Sequence, residues 1–187
     1  MEKSYARKRM LKLRAALDFD ICLTLSDRIC QRFLKSDEYK NASSILMYKA
    51  YNNEVDTALV LEAALASGKT VAFPRSEIVN GEPEMSFYIV RDKDSFVSGY
   101  KGISEPDESC EKFTGRADIC ITPGVAFDKA CHRVGYGKGF YDRFLGKSDV
   151  GTVIGFAYDI QVADMIETDA TDISTDMVIT ETSVYRR

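Results

Sequence analysis

The sequence predicts an α/β fold of three layers, in which helices flank a mostly parallel sheet. Short apolar runs that suit buried strands alternate along the chain with segments whose apolar residues recur at helical spacing. This alternation is typical of parallel sheets. The length of 187 residues suits one domain, and no internal repeat, low-complexity tract or linker divides the chain. We therefore expect a single domain over residues 1–187.

The helices are predicted from apolar spacing and from residues that begin or end helices. The first runs over Lys3–Leu17, and the second begins after a cap at Asp18 or Asp20. A third covers Thr57–Ser67 and a fourth covers Phe140–Leu145. The residues expected to be buried in the first two helices are Ala6, Met10, Leu13 and Leu17, then Cys22, Leu25, Ile29 and Phe33.

The strands are predicted from short apolar runs bounded by turn residues. They are Ser44–Tyr48, Thr70–Phe73, Met85–Val90, Ile119–Ile121, Val150–Ala157 and Met177–Thr180. The pair Asn80-Gly81 predicts a tight turn that joins Glu77–Val79 to Met85–Val90 in a hairpin. Pro74 is expected to end the second strand, and the polar segment Arg91–Thr114 is interpreted as a long surface loop.

The composition excludes several classes of protein. A net charge of -4 and a pI of about 5.2 argue against a surface that coats nucleic acid. Five cysteines, an odd number with no C-x-x-C spacing, indicate neither a disulfide framework nor a zinc site. No apolar leader or membrane-spanning run occurs. We expect a cytoplasmic monomer that binds neither nucleic acid nor membranes.

The densest chemical signal is the segment Arg133–Asp142, which reads RVGYGKGFYD. Its three alternating glycines let the backbone approach a ligand closely. If Phe140 begins a helix, the amide groups of the preceding turn form an anion site. Arg133 and Lys138 add positive charge, and Asp142 suits Mg²⁺, which prefers one or two carboxylates with phosphate oxygens. The alternative interpretation is a surface loop of mixed charge.

Two other glycine-containing segments are weaker candidates for a phosphate site. Gly68-Lys69-Thr70 resembles the end of a P-loop, but Ala63 stands where that motif needs glycine. The segment also runs from helix to strand, which is the wrong order. Gly135-Tyr136-Gly137 resembles the start of a dinucleotide-binding motif, but the third glycine, Gly139, comes one residue early.

The segments Pro123–Asp128 and Arg133–Asp142 together resemble the signature of the 5-formyltetrahydrofolate cyclo-ligase family. The resemblance extends over nearly the whole chain. Its further matching positions are Lys3 and Arg7 in the first helix, Lys49, Glu54, Phe73–Arg75, Gly102–Pro106, Gly155–Gln161 and Asp172–Asp176. It implies a Rossmann-like sheet and conversion of 5-formyltetrahydrofolate to 5,10-methenyltetrahydrofolate. It also implies ATP as co-substrate and Mg²⁺ as cofactor.

The resemblance also implies roles for individual residues. The positions that correspond to ATP contacts are Lys3, Arg7, Arg133, Val134, Gly135, Tyr136, Gly137, Lys138, Gly139, Phe140 and Tyr141. The positions that correspond to folate contacts are Lys49, Glu54, Tyr136, Gly137, Lys138, Gly139 and Phe140. Arg133, Tyr136 and Lys138 are the expected catalytic residues, and Asp142 and Asp176 are the expected metal ligands.

Two other functions remain open from the residues alone. The first is a sugar-phosphate isomerase or transferase that uses the glycine-rich loop for a monophosphate and needs no ATP. The second is a non-catalytic module that binds ATP. His132 is the only histidine of the chain and adjoins the loop, but we interpret it as a surface side chain.

Overall fold

The computed structural model describes residues 1–99 and 102–187. The helices are α1 (Lys3–Ala15), α2 (Phe19–Leu34), α3 (Asp37–Asn41), α4 (Ala58–Ala66) and α5 (Phe140–Leu145). The strands are β1 (Ser44–Leu46), β2 (Thr70–Val79), β3 (Glu82–Ile89), β4 (Phe96–Ser98), β5 (Ser104–Pro106), β6 (Ala117–Thr122), β7 (Ala126–Asp128), β8 (Arg133–Val134), β9 (Val150–Phe156), β10 (Val162–Ala163), β11 (Met177–Ile179) and β12 (Val184–Arg186). None of the described helices combines the length and the apolar content that a bilayer span needs.

Seven strands form the central sheet, in the order β12-β11-β9-β6-β1-β2-β3. The five inner strands, β11 to β2, pair in parallel, and the edge strands β3 and β12 pair antiparallel with their neighbours. Parallel neighbours need long connections, and those connections carry the helices. The predicted mostly parallel, three-layer α/β fold is confirmed.

One face of the sheet is covered by α2, α3 and α4. Phe33 of α2 is fully buried, and its ring meets Tyr39 of α3 and Phe156 of β9 edge-on, each with centroids 5.4 Å apart. The predicted stripe Cys22, Ile29 and Phe33 therefore points into the main core. The short helix α3 was not predicted, although Ser36 caps it by accepting a hydrogen bond from the Tyr39 amide.

The opposite face is covered by helix and by sheet. Helix α5 has six residues, and its Phe144 packs against Phe87 of β3 with ring centroids 4.7 Å apart. The rest of this face of the central sheet is covered by a small sheet of order β10-β7-β8. Phe127 of this small sheet lies so close to the main sheet that a side chain at Gly155 would collide with it. Helix α1 packs against the small sheet through Ala6 and Met10.

Three strand predictions differ from the structure. Pro74 does not end β2, because β1 has already ended at Leu46 and Pro74 faces no neighbouring strand on that side. The segment Arg91–Thr114 is not one loop, since it contains the antiparallel pair β4 and β5. The small sheet was interpreted as loop because its strands have only two or three residues. The hairpin at Asn80-Gly81 is confirmed.

We predict that Phe33→Ala lowers the free energy of unfolding by about 3–5 kcal/mol, because it leaves a cavity between two helices and the sheet. Denaturant unfolding measures this change. Phe19→Ala is the matched control on the same helix, where the ring is 71% exposed, and should change the free energy by less than about 0.5 kcal/mol. Equal effects of the two substitutions would contradict the assignment of the core.

Candidate functional site

A cleft of about 1040 Å³ opens beyond the carboxyl ends of β1 and β6. In an open α/β sheet this is the edge at which ligands bind. The cleft is lined by Tyr48 and Lys49 after β1, by Pro123 and Gly124 after β6, and by the glycine-rich loop. The β4–β5 pair, the start of α1 and residues 169–173 complete its walls.

Every predicted site residue except Asp176 lines this cleft. These residues are Lys3, Arg7, Lys49, Glu54, Arg133, Val134, Gly135, Tyr136, Gly137, Lys138, Gly139, Phe140, Tyr141 and Asp142. They come from α1, from the segment after β1, from β8, from the glycine-rich loop and from α5. Residues far apart in the chain are therefore brought to one surface.

The glycine-rich loop connects β8 to α5, and its backbone conformation favours glycine at two positions. Gly137 and Gly139 have φ angles of +93° and +72°, in the left-handed region that favours glycine. In addition, Arg7 of α1 lies across the loop: its Nε donates to the Gly135 carbonyl at 2.8 Å, and its guanidinium would be 3.7 Å from a Cβ at Gly137. Helix α1 thus holds one side of the loop.

The cations of the cleft differ in what they already contact. Arg133 is almost fully buried and donates to Asp142 Oδ1 at 2.7 Å. Lys3 forms ion pairs with Asp169 and Asp172. Lys138 is exposed and forms no ion pair with any residue that the structure describes. Of these three, Lys138 is the cation that could meet an incoming anion without first leaving a carboxylate.

Of the two predicted metal ligands, only Asp142 lines the cleft. Asp176 is exposed at the start of β11, where its Oδ2 accepts a hydrogen bond from the Val153 amide at 2.7 Å. Its carboxylate therefore stabilises the junction of two strands and does not line the cleft. Asp172, four residues earlier, lines the cleft with Asp142. Asp142 Oδ1 also accepts from the Ile173 amide at 3.3 Å, which brings the two aspartates together.

Asp172 is held as a carboxylate. Burial opposes its ionisation, but the Asp169 amide and the Lys3 ammonium outweigh burial and lower the pKa of Asp172. Its Oδ2 accepts from Lys3 Nζ and from the Asp169 amide, both at 2.7 Å. Among the described residues no group of three or more acidic, histidine or cysteine side chains could enclose a metal ion. Asp142 and Asp172 could thus supply only part of a coordination shell.

Glu54 forms a second polar centre in the cleft. Its side chain is buried, and its Oε2 accepts from the Tyr51 amide at 3.1 Å. Burial raises the pKa of Glu54 to about 7, although Arg14, the Tyr51 amide and Tyr136 favour the carboxylate. Burial and the nearby Glu54 raise the pKa of Tyr136 to about 12, so that its hydroxyl keeps its proton. Glu54 thus lies where a flat ligand with neighbouring N–H groups could be bound.

Arg14 is the main residue that the sequence prediction missed. It was not among the residues expected to be buried in the first helix, yet it is 1% exposed, whereas the predicted core residue Leu13 is 39% exposed. The buried residues of α1 are Ala6, Met10 and Arg14. Their strict four-residue spacing was a signal that could have found Arg14. The pattern was missed because the apolar Leu13 precedes Arg14 and was expected to be buried in its place.

The β4–β5 pair contributes two further residues that were not predicted. Glu105 is buried and accepts from the Ser76 amide of β2 at 3.0 Å. The Phe96 ring lies 4.7 Å from the Lys49 ammonium. These contacts hold the pair against β2 and place it at the wall of the cleft. They were missed because the surrounding segment has a polar, turn-rich composition.

His132 does not line the cleft. Its Nδ1 lies 2.9 Å from Oδ2 of the buried Asp128. The same aspartate accepts hydrogen bonds from the amides of Ala130, His132 and Ile166. The pair closes the turn after β7, so the structure gives His132 a structural contact.

Comparisons with known proteins match nearly the whole chain. The family model described as the 5-formyltetrahydrofolate cyclo-ligase family matches residues 1–181. A probable 5-formyltetrahydrofolate cyclo-ligase of Caenorhabditis elegans is 27% identical, over 96% of this chain and 92% of the relative. The NMR structure of a 5,10-methenyltetrahydrofolate synthetase from Aquifex aeolicus is 34% identical with a TM-score of 0.85, over 98% of this chain and 92% of that one. A synthetase from Mycoplasma pneumoniae is 25% identical with a TM-score of 0.73, over 97% and 99%.

We predict that burial of Glu54 makes the free energy of unfolding fall as pH rises from about 4.5 to 7. Folded Glu54 keeps its proton up to about pH 7, whereas the unfolded side chain releases it near 4.5. The folded state therefore binds more protons in this window, and stability decreases with pH there. The loss amounts to roughly 3 kcal/mol.

The measurement is denaturant unfolding of the wild type and Glu54→Gln at pH 5 and pH 8, without ligands. Relative to the wild type, the free energy of unfolding of Glu54→Gln should be higher at pH 8 than at pH 5. Glu77→Gln is the control, because Glu77 is exposed on β2, and its difference from the wild type should stay constant. A constant difference for Glu54→Gln as well would contradict the raised pKa.

Proposed function

We propose, from the premise that this chain belongs to the 5-formyltetrahydrofolate cyclo-ligase family, that it converts 5-formyltetrahydrofolate to 5,10-methenyltetrahydrofolate with consumption of ATP and release of ADP and phosphate. The observation that carries the proposal is the cleft itself. It combines a glycine-rich loop with basic residues, three aspartates and two buried glutamates. A polyphosphate and a flat, hydrogen-bonding ring both find partners there.

The glycine-rich loop and the surrounding cations suit the phosphates of ATP. The amides of Gly135, Gly137 and Gly139 are on a backbone without side chains that would keep a ligand away. Lys138 offers an unpaired positive charge, and Arg7 and Arg133 border the same loop. Lys3 would exchange its aspartate partners for phosphate oxygens, or bridge them through the ligand.

The cleft also suits Mg²⁺ bound together with ATP. Asp142 and Asp172 supply carboxylate oxygens on the same wall, and Mg²⁺ prefers one or two carboxylates together with phosphate oxygens and water. We therefore propose Asp142 and Asp172 as the metal-holding residues. The ion would neutralise charge on the β- and γ-phosphates.

Glu54 and the aromatic residues suit the folate. An ionised glutamate accepts two hydrogen bonds side by side, which matches the adjacent N–H donors of a pterin ring. Tyr136 and Phe140 place aromatic rings on the cleft wall, where they can stack on a flat ring. Lys49, held beside Phe96, adds a cation on the opposite side.

The reaction proceeds by activation of the formyl oxygen, which is a poor leaving group. Transfer of the γ-phosphoryl group to this oxygen forms an O–P bond and breaks the bond to ADP. The neighbouring side-arm nitrogen then attacks the activated carbon and loses its proton, and the C–O bond breaks so that the oxygen and this proton leave as hydrogen phosphate. Lys138 and Arg133 stabilise the charge on the transferred group, and the loop aligns the two substrates.

A direct assay tests this function. Protein, Mg²⁺, ATP and 5-formyltetrahydrofolate are mixed, and the near-ultraviolet absorbance of the methenyl product is followed. We expect product only when ATP and the folate are both present. Turnover of a sugar phosphate without ATP would favour an isomerase or transferase. Binding of ATP without product would favour a non-catalytic module.

We predict that Lys138→Ala lowers kcat/KM for ATP by about tenfold to a hundredfold, which is the loss expected for one charge-assisted hydrogen bond. Lys147→Ala is the control, because Lys147 is an exposed lysine shortly after α5 that does not line the cleft. It should retain wild-type kinetics. Full activity of Lys138→Ala at all ATP concentrations would exclude a phosphate contact for Lys138.

The net charge of -4 supports an expectation that nucleic acid is not a partner. The monomeric state and the cytoplasmic location also stay predictions. Sedimentation of the purified protein tests the first.

A further inference from the structure

Arg14 is a buried cation at the end of α1, and the proposed reaction has so far given it no role. Arginine is almost never fully buried unless its charge is paired. Arg14 is 1% exposed and forms no ion pair with a described residue within 4 Å. Its guanidinium instead donates to neutral oxygens on two walls of the cleft. This arrangement calls for an explanation beyond stability.

The first wall is the turn that follows β6. Arg14 Nη1 donates to the Gly124 carbonyl at 3.1 Å. Gln161 Nε2 donates to the same carbonyl at 2.9 Å, and to the Val125 carbonyl at 2.9 Å. The turn is therefore held by two buried side chains that approach it from α1 and from the segment after β9.

The second wall is the glycine-rich loop. Arg14 Nη2 donates to the Tyr136 hydroxyl, and the guanidinium carbon lies 5.7 Å from the centre of the Tyr136 ring. Tyr136 has no bulky neighbours in the chain, because glycines flank it on both sides. Tyr136 also shares a side-chain hydrogen bond with Glu54, so Arg14 and Glu54 together hold this ring in an otherwise permissive loop.

Arg14 also acts on Glu54. Its charge favours the ionised form of that buried side chain. The Arg14 carbonyl accepts a hydrogen bond from Asn53 Nδ2 at 3.3 Å, and the same nitrogen donates to the Leu17 carbonyl at 3.2 Å. The end of α1 is therefore tied to the residue directly before Glu54. The Arg14 side chain contacts Tyr136, and the Arg14 backbone is bonded to the residue before Glu54. Arg14 therefore acts on both of the groups that we assign to folate recognition.

We propose that Arg14 is a positioning residue for the folate: it holds Tyr136 and Glu54 in a single arrangement that is ready to bind the ring of the substrate. This inference rests on the proposed function and adds a residue to its folate site. Binding then requires little ordering of the loop, and the saved ordering cost appears as affinity. Because Arg14 contacts no predicted ATP ligand except Tyr136, folate binding should depend on it more than ATP binding does.

The groups that face Glu54 come from several elements. Arg14 belongs to α1, Tyr136 to the loop, Tyr48 to the segment after β1 and Tyr141 to α5. The three tyrosines are neutral over the working pH range, since burial raises the pKa of each. Arg14 is therefore the cation among these groups, and its removal should leave Glu54 protonated to a higher pH.

The test uses Arg14→Lys, Tyr136→Phe and the double variant in the full chain. Calorimetry measures the Kd of 5-formyltetrahydrofolate and, separately, the Kd of magnesium-ATP; steady-state kinetics measures both KM values. We expect Arg14→Lys and Tyr136→Phe each to weaken folate binding by about tenfold to a hundredfold. The Kd of magnesium-ATP should change by less than about threefold.

The double variant shows whether the two residues act as one unit. If they do, Arg14→Lys should weaken folate binding much less in the Tyr136→Phe background than in the wild type. Arg9→Lys is the matched control: Arg9 is an exposed arginine on the same helix, and it should bind both ligands as the wild type does. The pH at which folate binding is half-lost on acidification should rise in a further variant, Arg14→Gln, which removes the positive charge beside Glu54.

Three outcomes would overturn the inference. These are unchanged folate affinity in Arg14→Lys, equal losses for folate and magnesium-ATP, or fully additive effects in the double variant. If Arg14→Lys does not fold, unchanged folate affinity in Tyr136→Phe would still overturn the inference, because that variant removes the hydrogen bond to Arg14 and leaves α1 intact. An inactive wild type that binds neither ligand would instead contradict the proposed function itself.

Discussion

Hydrogen bonds to the Gly124 carbonyl connect the walls of the cleft to the central sheet. This carbonyl lies at the carboxyl end of β6 and accepts hydrogen bonds from Arg14 and Gln161. Buried polar groups of this kind must be satisfied, and each unmade bond would cost about 1–3 kcal/mol. Through these bonds α1 and the segment after β9 are held to one turn, and the glycine-rich loop is held by α1. The site is therefore stabilised by the same contacts that complete the fold.

Some charged side chains of the cleft are paired with one another, whereas others remain available to bind a ligand. Arg133 is paired with Asp142, and Lys3 with Asp169 and Asp172. These pairs keep basic and acidic groups together in the absence of ligands, where unpaired buried charges would be costly. Lys138 lies between Gly137 and Gly139 and forms no ion pair with a described residue. A polyanion can thus bind by exchange of partners in one part of the cleft and by direct contact in another.

Much of the fold followed from local pattern, and most of the site followed from the glycine-rich motif together with the family resemblance. Helix α5 has the predicted bounds, and the residues of the glycine-rich segment line the cleft because they are contiguous. The errors occur where a decision depended on a distant partner. The placement of two aspartates near β11 also depended on distant partners, since Asp176 contacts the Val153 amide and Asp172 contacts Lys3 at the cleft. Leu13 and Arg14 differ in the same way, since the turn after β6 determines which of the two is buried.

The sequence by itself determined the layered α/β class, the hairpin at Asn80-Gly81 and the resemblance that located the glycine-rich centre. These features depend on periodicity, on backbone conformations that only certain residues adopt and on contiguous motifs, all of which are local. Only the tertiary structure decided which charged side chains are buried, which aspartates share the cleft and where the β4–β5 pair lies. The physical reason is that burial and ion pairing are set by groups brought together from distant parts of the chain, and spacing along the sequence does not encode those distances.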